Sequence, residues 1–136
     1  MRIKLFNQYW DLKFTNITDY GICLPDLKLI KVRKSLEGEE RLSTILHELL
    51  HAGDWPILEG VVDNISTNIA HIICMYWKYE PTSRRKNGNI EELAHLITHC
   101  FRLVKIHYES DEWADQFGED CSKILWRLGY RKNETS

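Results

Sequence analysis

The segment from Glu40 to Gly53 constrains this chain more tightly than any other. Its apolar residues Leu42, Ile45, Leu46, Leu49 and Leu50 recur at steps of three and four, which puts them on one broad arc of a helix. Glu40, Thr44, His47, Glu48 and His51 fall on the opposite arc. Glu37, Glu39 and Glu40 suit the positive end of a helix dipole, and Gly53, directly after Ala52, is a natural terminator. The spacing predicts an amphipathic helix over 36–53. Its Leu/Ile wall has to be covered by a second layer, and its polar face carries two imidazoles one turn apart.

The covering layer is sought on both sides of this helix. Ahead of it, Trp10, Leu12 and Phe14 alternate with Asp11 and Lys13, the period of a half-buried strand. Asn16 to Asp19 are turn formers, Gly21 to Leu24 reads as a second extended piece, Pro25-Asp26 as a turn, and Leu27 to Val32 as a third strand. Behind it, helices are expected over about 57–79, 89–109 and 111–128, the first with Val61, Ile65, Ile69, Ile72 and Tyr76 at helical spacing. Residues 80–88 form a polar basic loop in which Arg84-Arg85-Lys86 reads as a solvated turn, and the tail after Tyr130 is expected to fray. The predicted fold class is α+β, with short N-terminal antiparallel strands packed on about four helices. A chain of 136 residues with 43% hydrophobic content is expected to form one domain: a β-rich part over 1–34, the helix over 36–53 and a helical part over 57–130.

Composition narrows the partners. A formal charge of −2 gives no sequence-independent grip on nucleic acid. No apolar run approaches a membrane span, and Met1-Arg2-Ile3-Lys4 is not followed by the continuous apolar stretch of a signal peptide, so a cytoplasmic protein without a membrane partner is expected. Cys23, Cys74, Cys100 and Cys121 are scattered with no CxxC pair and read as reduced thiols.

The polar arc reads His47-Glu48-Leu49-Leu50-His51, an HExxH pattern. Imidazoles four residues apart reach one metal ion from one helical face. Glu48, rotated by about 100° from His47, can instead lean over an open coordination position and take a proton from water. A catalytic zinc site keeps three protein ligands, so one more must come from elsewhere. Glu59 lies eight residues past His51 at the start of the next helix, with Asp63 one turn on as a carboxylate that could orient a ligand imidazole. Asp54 is nearer but reads as a cap of the following segment. Glu112 and the histidines His71, His95, His99 and His107 are rivals. His95 and His99 form a second i, i+4 pair, yet they lie opposite Leu93, Ile97, Cys100, Phe101 and Val104 and read as a solvated face. His71 and Cys74 read as core or boundary residues.

Several stretches together resemble small zincin-like proteins encoded by phages and bacteria. They are Tyr20-Gly21-Ile22-Cys23 through Ile30-Lys31-Val32, then Leu36-Glu37-Gly38, then Leu42 through Ala52 around the motif, and finally Leu125-Trp126-Arg127-Leu128-Gly129-Tyr130. In that family a Gly-Xaa-Cys strand, a second strand and an HExxH helix occur in this order, and the chain closes on a helix ending in a motif like 125–130. The resemblance covers about half the chain. It implies a minimal gluzincin-type metallopeptidase fold with His47, His51 and a downstream Glu as zinc ligands and Glu48 as base. This chain departs from the pattern by a helical insertion around 64–109. The acidic ligand therefore corresponds to Glu59 by distance from His51, or to Glu112 by adjacency to the closing helix; Glu59 is favoured because Asp63 follows it.

The expected function is zinc-dependent hydrolysis of a peptide or protein substrate, with a strand near 27–33 pairing with extended peptide beside the cleft. The expectation from another class is a non-catalytic, zinc-stabilised module that binds a partner protein.

Overall fold

Alternation of apolar and polar residues before Lys34 builds a four-stranded sheet, and the helical periods after it build four helices. The computed structural model describes residues 1–53, 59–81, 90–104 and 111–133. In chain order the elements are β1 (Arg2–Leu5), β2 (Gln8–Thr15), β3 (Gly21–Leu24), β4 (Leu29–Arg33), α1 (Gly38–Gly53), α2 (Glu59–Tyr76), β5 (Trp77–Tyr79), α3 (Ile90–Val104), α4 (Asp111–Leu128) and β6 (Tyr130–Lys132). The fold is α+β. The chain divides into two compact units, 1–72 and 73–136.

In the first unit the sheet order is β1-β2-β4-β3. Leu5 pairs with Gln8, so the β1–β2 hairpin turns on Phe6 and Asn7 alone, both at positive φ (50° and 64°). That is the two-residue loop whose twist matches the strands it joins. The sheet is mixed rather than wholly antiparallel: β1/β2 and β3/β4 are antiparallel, but β2 pairs with β4 in parallel, Leu12 opposite Ile30. The reason is placement. β2, β3 and β4 alternate in direction along the chain, and β4 rather than β3 lies beside β2.

Period-2 alternation sends Ile3, Leu5, Trp10, Leu12, Ile30 and Val32 into the core. α1 packs on β3 and β4 and brings Leu42, Ile45, Leu46, Leu49 and Leu50, all essentially fully buried. Each such side chain contributes about 1.5–3 kcal/mol relative to exposure. The buried stripe of α2 is Val62, Ile65, Ser66, Ile69, Ala70 and Ile73, so the helix is turned from the expected phase and Val61 and Tyr76 face solvent. This rotation decides where Glu59 and Asp63 point.

In the second unit α3 packs on α4. Phe101 meets Trp113 and Phe117 edge to face at 5.6 and 4.9 Å between centroids, while Trp113 and Phe117 stack at 5.1 Å. Residues 77–79, expected to continue a helix, instead form β5 and pair with β6, Trp77 opposite Lys132 and Tyr79 opposite Tyr130. The tail expected to fray is thus held as far as Lys132. Gly129 ends α4 at φ +114°, its N–H reaching the carbonyls of Leu125 and Trp126 at 3.1 Å. The Arg131 guanidinium lies 3.7 Å over the Trp126 ring and donates to the Trp126 carbonyl at 2.8 Å, which ties β6 to the end of α4.

None of the four cysteines forms a disulfide; Cys23, Cys100 and Cys121 are buried and Cys74 is half-buried. None of the described helices is long and apolar enough to cross a membrane. The basic run Arg84-Arg85-Lys86 lies outside the described residues.

Candidate metal centre

The polar arc of α1 and the first two turns of α2 bring His47, His51 and Glu59 together. His47 Nε2 lies 2.8 Å from Glu59 Oε1, His51 Nε2 lies 2.8 Å from Glu59 Oε2, and the two Nε2 atoms are 3.1 Å apart. The i, i+4 spacing puts both rings on one face, at 4.8 Å between centroids. Among the described residues this is the one group of three or more His, Cys, Asp or Glu side chains whose ligand atoms all lie within 4.8 Å of one another.

The donor set fits a zinc ion. Ligands at about 2.0–2.1 Å in tetrahedral array sit roughly 3.3 Å from one another, so small movements turn this cluster into three coordination bonds. The two imidazoles present Nε2, and the remaining ring nitrogen of His47 is already engaged: Nδ1 lies 3.1 Å from Asp63 Oδ1. A carboxylate on Nδ1 fixes the tautomer that leaves Nε2 bare and raises its basicity. Asp63 thus stands where a ligand-orienting carboxylate is needed, one turn from Glu59 on the α2 face adjoining the buried stripe.

Glu48 is buried, with 5% of its surface exposed, and its carboxylate faces a cavity of about 390 Å³ that Glu59 and Asp63 also line. Burial pushes its carboxyl up from an ordinary 4.5 to about 7; the charges of Glu59 and Asp19 add to this and His47 opposes it. A carboxyl that exchanges its proton near neutrality is suited to general-base work.

One residue that makes this arrangement possible escaped the motif reading. Gly21, at the start of β3, lies directly against Glu48. A Cβ there would sit 2.8 Å from Glu48 Cγ and 2.9 Å from Thr44 Cγ2. Only glycine leaves that space, and the Gly-Xaa-Cys stretch was the signal that pointed to the position. Cys23, two residues on, is buried in the same region, which with the Glu48 charge pushes its thiol up to about 12.

Among the described residues, none of the other candidates belongs to that group. Glu112 is exposed in the first turn of α4, in the second unit. His95 and His99 are exposed and stack on each other at 6.3 Å, a solvated face as expected. His71, expected at the core or its boundary, is instead exposed and pairs with Glu39 at 3.0 Å, because the rotation of α2 turns it outward. Asp54 and His107 lie outside the described residues. The strand expected to accept a peptide is also corrected. β4 is hydrogen-bonded on both sides, to β2 and to β3, so its backbone is not open to a further strand; the sheet edge beside the cavity is β3.

Comparisons with protein-family models, with curated proteins and with solved structures found no match to this chain.

Proposed function

We propose that this protein is a zinc-dependent peptide-bond hydrolase of the HExxH metallopeptidase type, acting in the cytoplasm on a peptide or protein substrate. The observation that carries the reading is the convergence of His47 Nε2, His51 Nε2 and the Glu59 carboxylate at 2.8–3.1 Å beside a buried Glu48 that opens on the same cavity. His47, His51 and Glu59 would hold the metal. Zinc, when bound, supplies a Lewis acid and lowers the pKa of water to about 7. Glu48 takes the proton of the attacking water on its carboxylate and delivers it to the departing amine. Asp63 holds the His47 ring through Nδ1, and Gly21 leaves Glu48 the room to reach its position.

The experiment pairs metal content with turnover. Zinc-loaded protein is incubated with a proteome-derived peptide mixture and new termini are read by mass spectrometry. Glu48→Gln should retain one zinc per chain and cut at least about a thousandfold more slowly, whereas His51→Ala should lose both metal and cleavage. Undiminished cleavage by the Gln variant would sink the mechanism. Stoichiometric zinc with no cleavage by wild type would favour the zinc-stabilised binding module instead.

A further inference from the structure

The net charge of −2 hides a segregation. Seven of the eighteen Lys and Arg side chains, but only three of the twenty Asp and Glu, fall within residues 1–34, the stretch that builds the four-stranded sheet. Strand alternation then sorts them by face. Ile3, Leu12, Ile30 and Val32 turn inward, to the side on which α1 packs, so Arg2, Lys4, Lys13, Lys31 and Arg33 share the outer face. Asp11, opposite Arg2 in the register, is the one carboxylate at the outward strand positions. Summed charge speaks against nucleic acid, but binding follows local charge, and this face is cationic.

Lys13 and Lys31 are direct partners across β2 and β4, on strands about 4.8 Å apart, and Arg33 follows two residues on along β4. Like charges set opposite each other cost stability. Among the described residues none of Lys4, Lys13 and Lys31 is ion-paired, and Arg33 donates to the neutral Thr18 carbonyl. The anion that would balance them has to come from outside. Tyr9, 52% exposed, adds a second and uncharged observation: it is the large apolar side chain exposed on this face, and the Arg2 guanidinium lies 4.1 Å over its ring. An aromatic ring among cations is a surface on which an unpaired base stacks. Ile22, Leu24 and Leu29 on the same face are half-buried and offer a bilayer no projecting aliphatic edge. Three inter-strand steps make the sheet about 14 Å wide before side chains are added, too broad to enter a major groove of about 12 Å.

From this charge complementarity we propose that the outer face of the sheet binds single-stranded nucleic acid without sequence preference, its lysines neutralising phosphates while Tyr9 stacks on a base. The surface shares no residue with the metal cluster, so it stands or falls independently of the hydrolase reading. Contacts with about three phosphates, through Lys13, Lys31 and either Lys4 or Arg33, give log affinity against log salt a slope of about −2. Affinity then falls about fifteen- to twentyfold between 0.05 and 0.2 M salt. Stacking on Tyr9 contributes a part that salt leaves alone.

The test uses the full chain and a fluorescein-labelled, mixed-sequence single-stranded DNA of about 20 nucleotides, read by fluorescence anisotropy between about 0.05 and 0.2 M salt. Wild type should bind with the slope given above. Lys13→Gln/Lys31→Gln should flatten that slope by about 1.4 and weaken binding about tenfold or more at the low-salt end. Tyr9→Ala should weaken it about fivefold or more with the slope unchanged, and Tyr9→Phe should keep the affinity. Lys78→Gln/Lys123→Gln removes the same charge from exposed positions outside this sheet and should change neither quantity. Absence of binding at low salt, or equal losses in the two double variants, overturns the proposal. So does a duplex of the same sequence bound as tightly as the single strand. Full affinity in Tyr9→Ala, or displacement of the DNA by polyglutamate of matched charge as readily as by unlabelled DNA, makes the face a surface for acidic protein and overturns the nucleic-acid assignment.

Discussion

Glu48 is under two opposing demands. Burial against β3 favours its neutral form, yet the base role proposed for it requires the carboxylate. Because its folded pKa of about 7 lies above the ordinary 4.5, the folded state holds a proton that the unfolded chain has lost over that interval. Stability falls with pH wherever the folded state binds more protons, so the stabilisation tied to this proton is complete below about pH 4.5 and is lost as pH rises through about 7. Metal-free Glu48→Gln, which cannot ionise there, should gain on metal-free wild type by about 3 kcal/mol between pH 4.5 and pH 8. Urea unfolding at the two pH values reads the difference, and parallel curves for the two proteins would show that Glu48 is not held neutral. Gly21 sets the other constraint on the same side chain. Gly21→Ala puts a methyl group 2.8 Å from Glu48 Cγ, and Glu48 or Thr44 must move. A displacement near 1 Å at a catalytic group lowers turnover by about ten- to a hundredfold. Zinc content should be unchanged, because neither His47, His51 nor Glu59 lies among the nearest atoms to the added carbon. Peptide turnover beside metal analysis separates the two effects.

At the scale of elements, α1 was readable because one short window states everything about it: a five-residue apolar arc, acidic residues before it and Gly53 at its end. β3 and β4 were readable from alternation between turn formers. The β1–β2 hairpin was not, since its turn uses Phe6 and Asn7 rather than Asn-Gly, and nothing in Phe6 advertises a positive φ. The phase of α2 was misread because Val61 and Val62 are adjacent and equally apolar; which of them is buried depends on what the helix meets. β5 and β6 are three residues each, too short for a period to register, and depend on each other across more than fifty residues of chain. Their junction with α4 rests on Gly129, whose φ of +114° is closed to other residues and whose Cβ, if present, would lie 2.5 Å from Pro81 Cα. Gly129→Ala should therefore destabilise the protein by about 1–3 kcal/mol from backbone strain alone, and by more once Pro81 is displaced. Urea unfolding measures it, and a loss below about 0.5 kcal/mol would contradict this cap geometry.

On the scale of the whole molecule, the third ligand is the part of the site that local pattern could not decide. His47, Glu48 and His51 follow from one helix. Choosing Glu59 over Glu112 requires knowing which later helix start reaches α1, a long-range fact set by packing of the apolar stripe beginning at Val62. Once Val62, Ile65 and Ile69 are buried, Glu59 and Asp63 are carried to the imidazoles on the adjoining face. Under the proposed chemistry the metal should then act as a staple between two helices joined through residues 54–58. A ligand that binds only the folded state stabilises it by about 2.7 kcal/mol at a hundredfold excess over Kd, which for a chain of this size raises Tm by several degrees. Zinc should raise Tm by that amount in wild type and in Glu112→Gln. Chelator should reverse the rise, and Glu59→Gln should abolish most of it. Hydrogen exchange should localise the gain to the amides of α1 and of residues 59–72, the stretch that holds all three ligands. A zinc-dependent rise that survives Glu59→Gln but disappears in Glu112→Gln would move the third ligand to α4 and with it the whole arrangement of the centre.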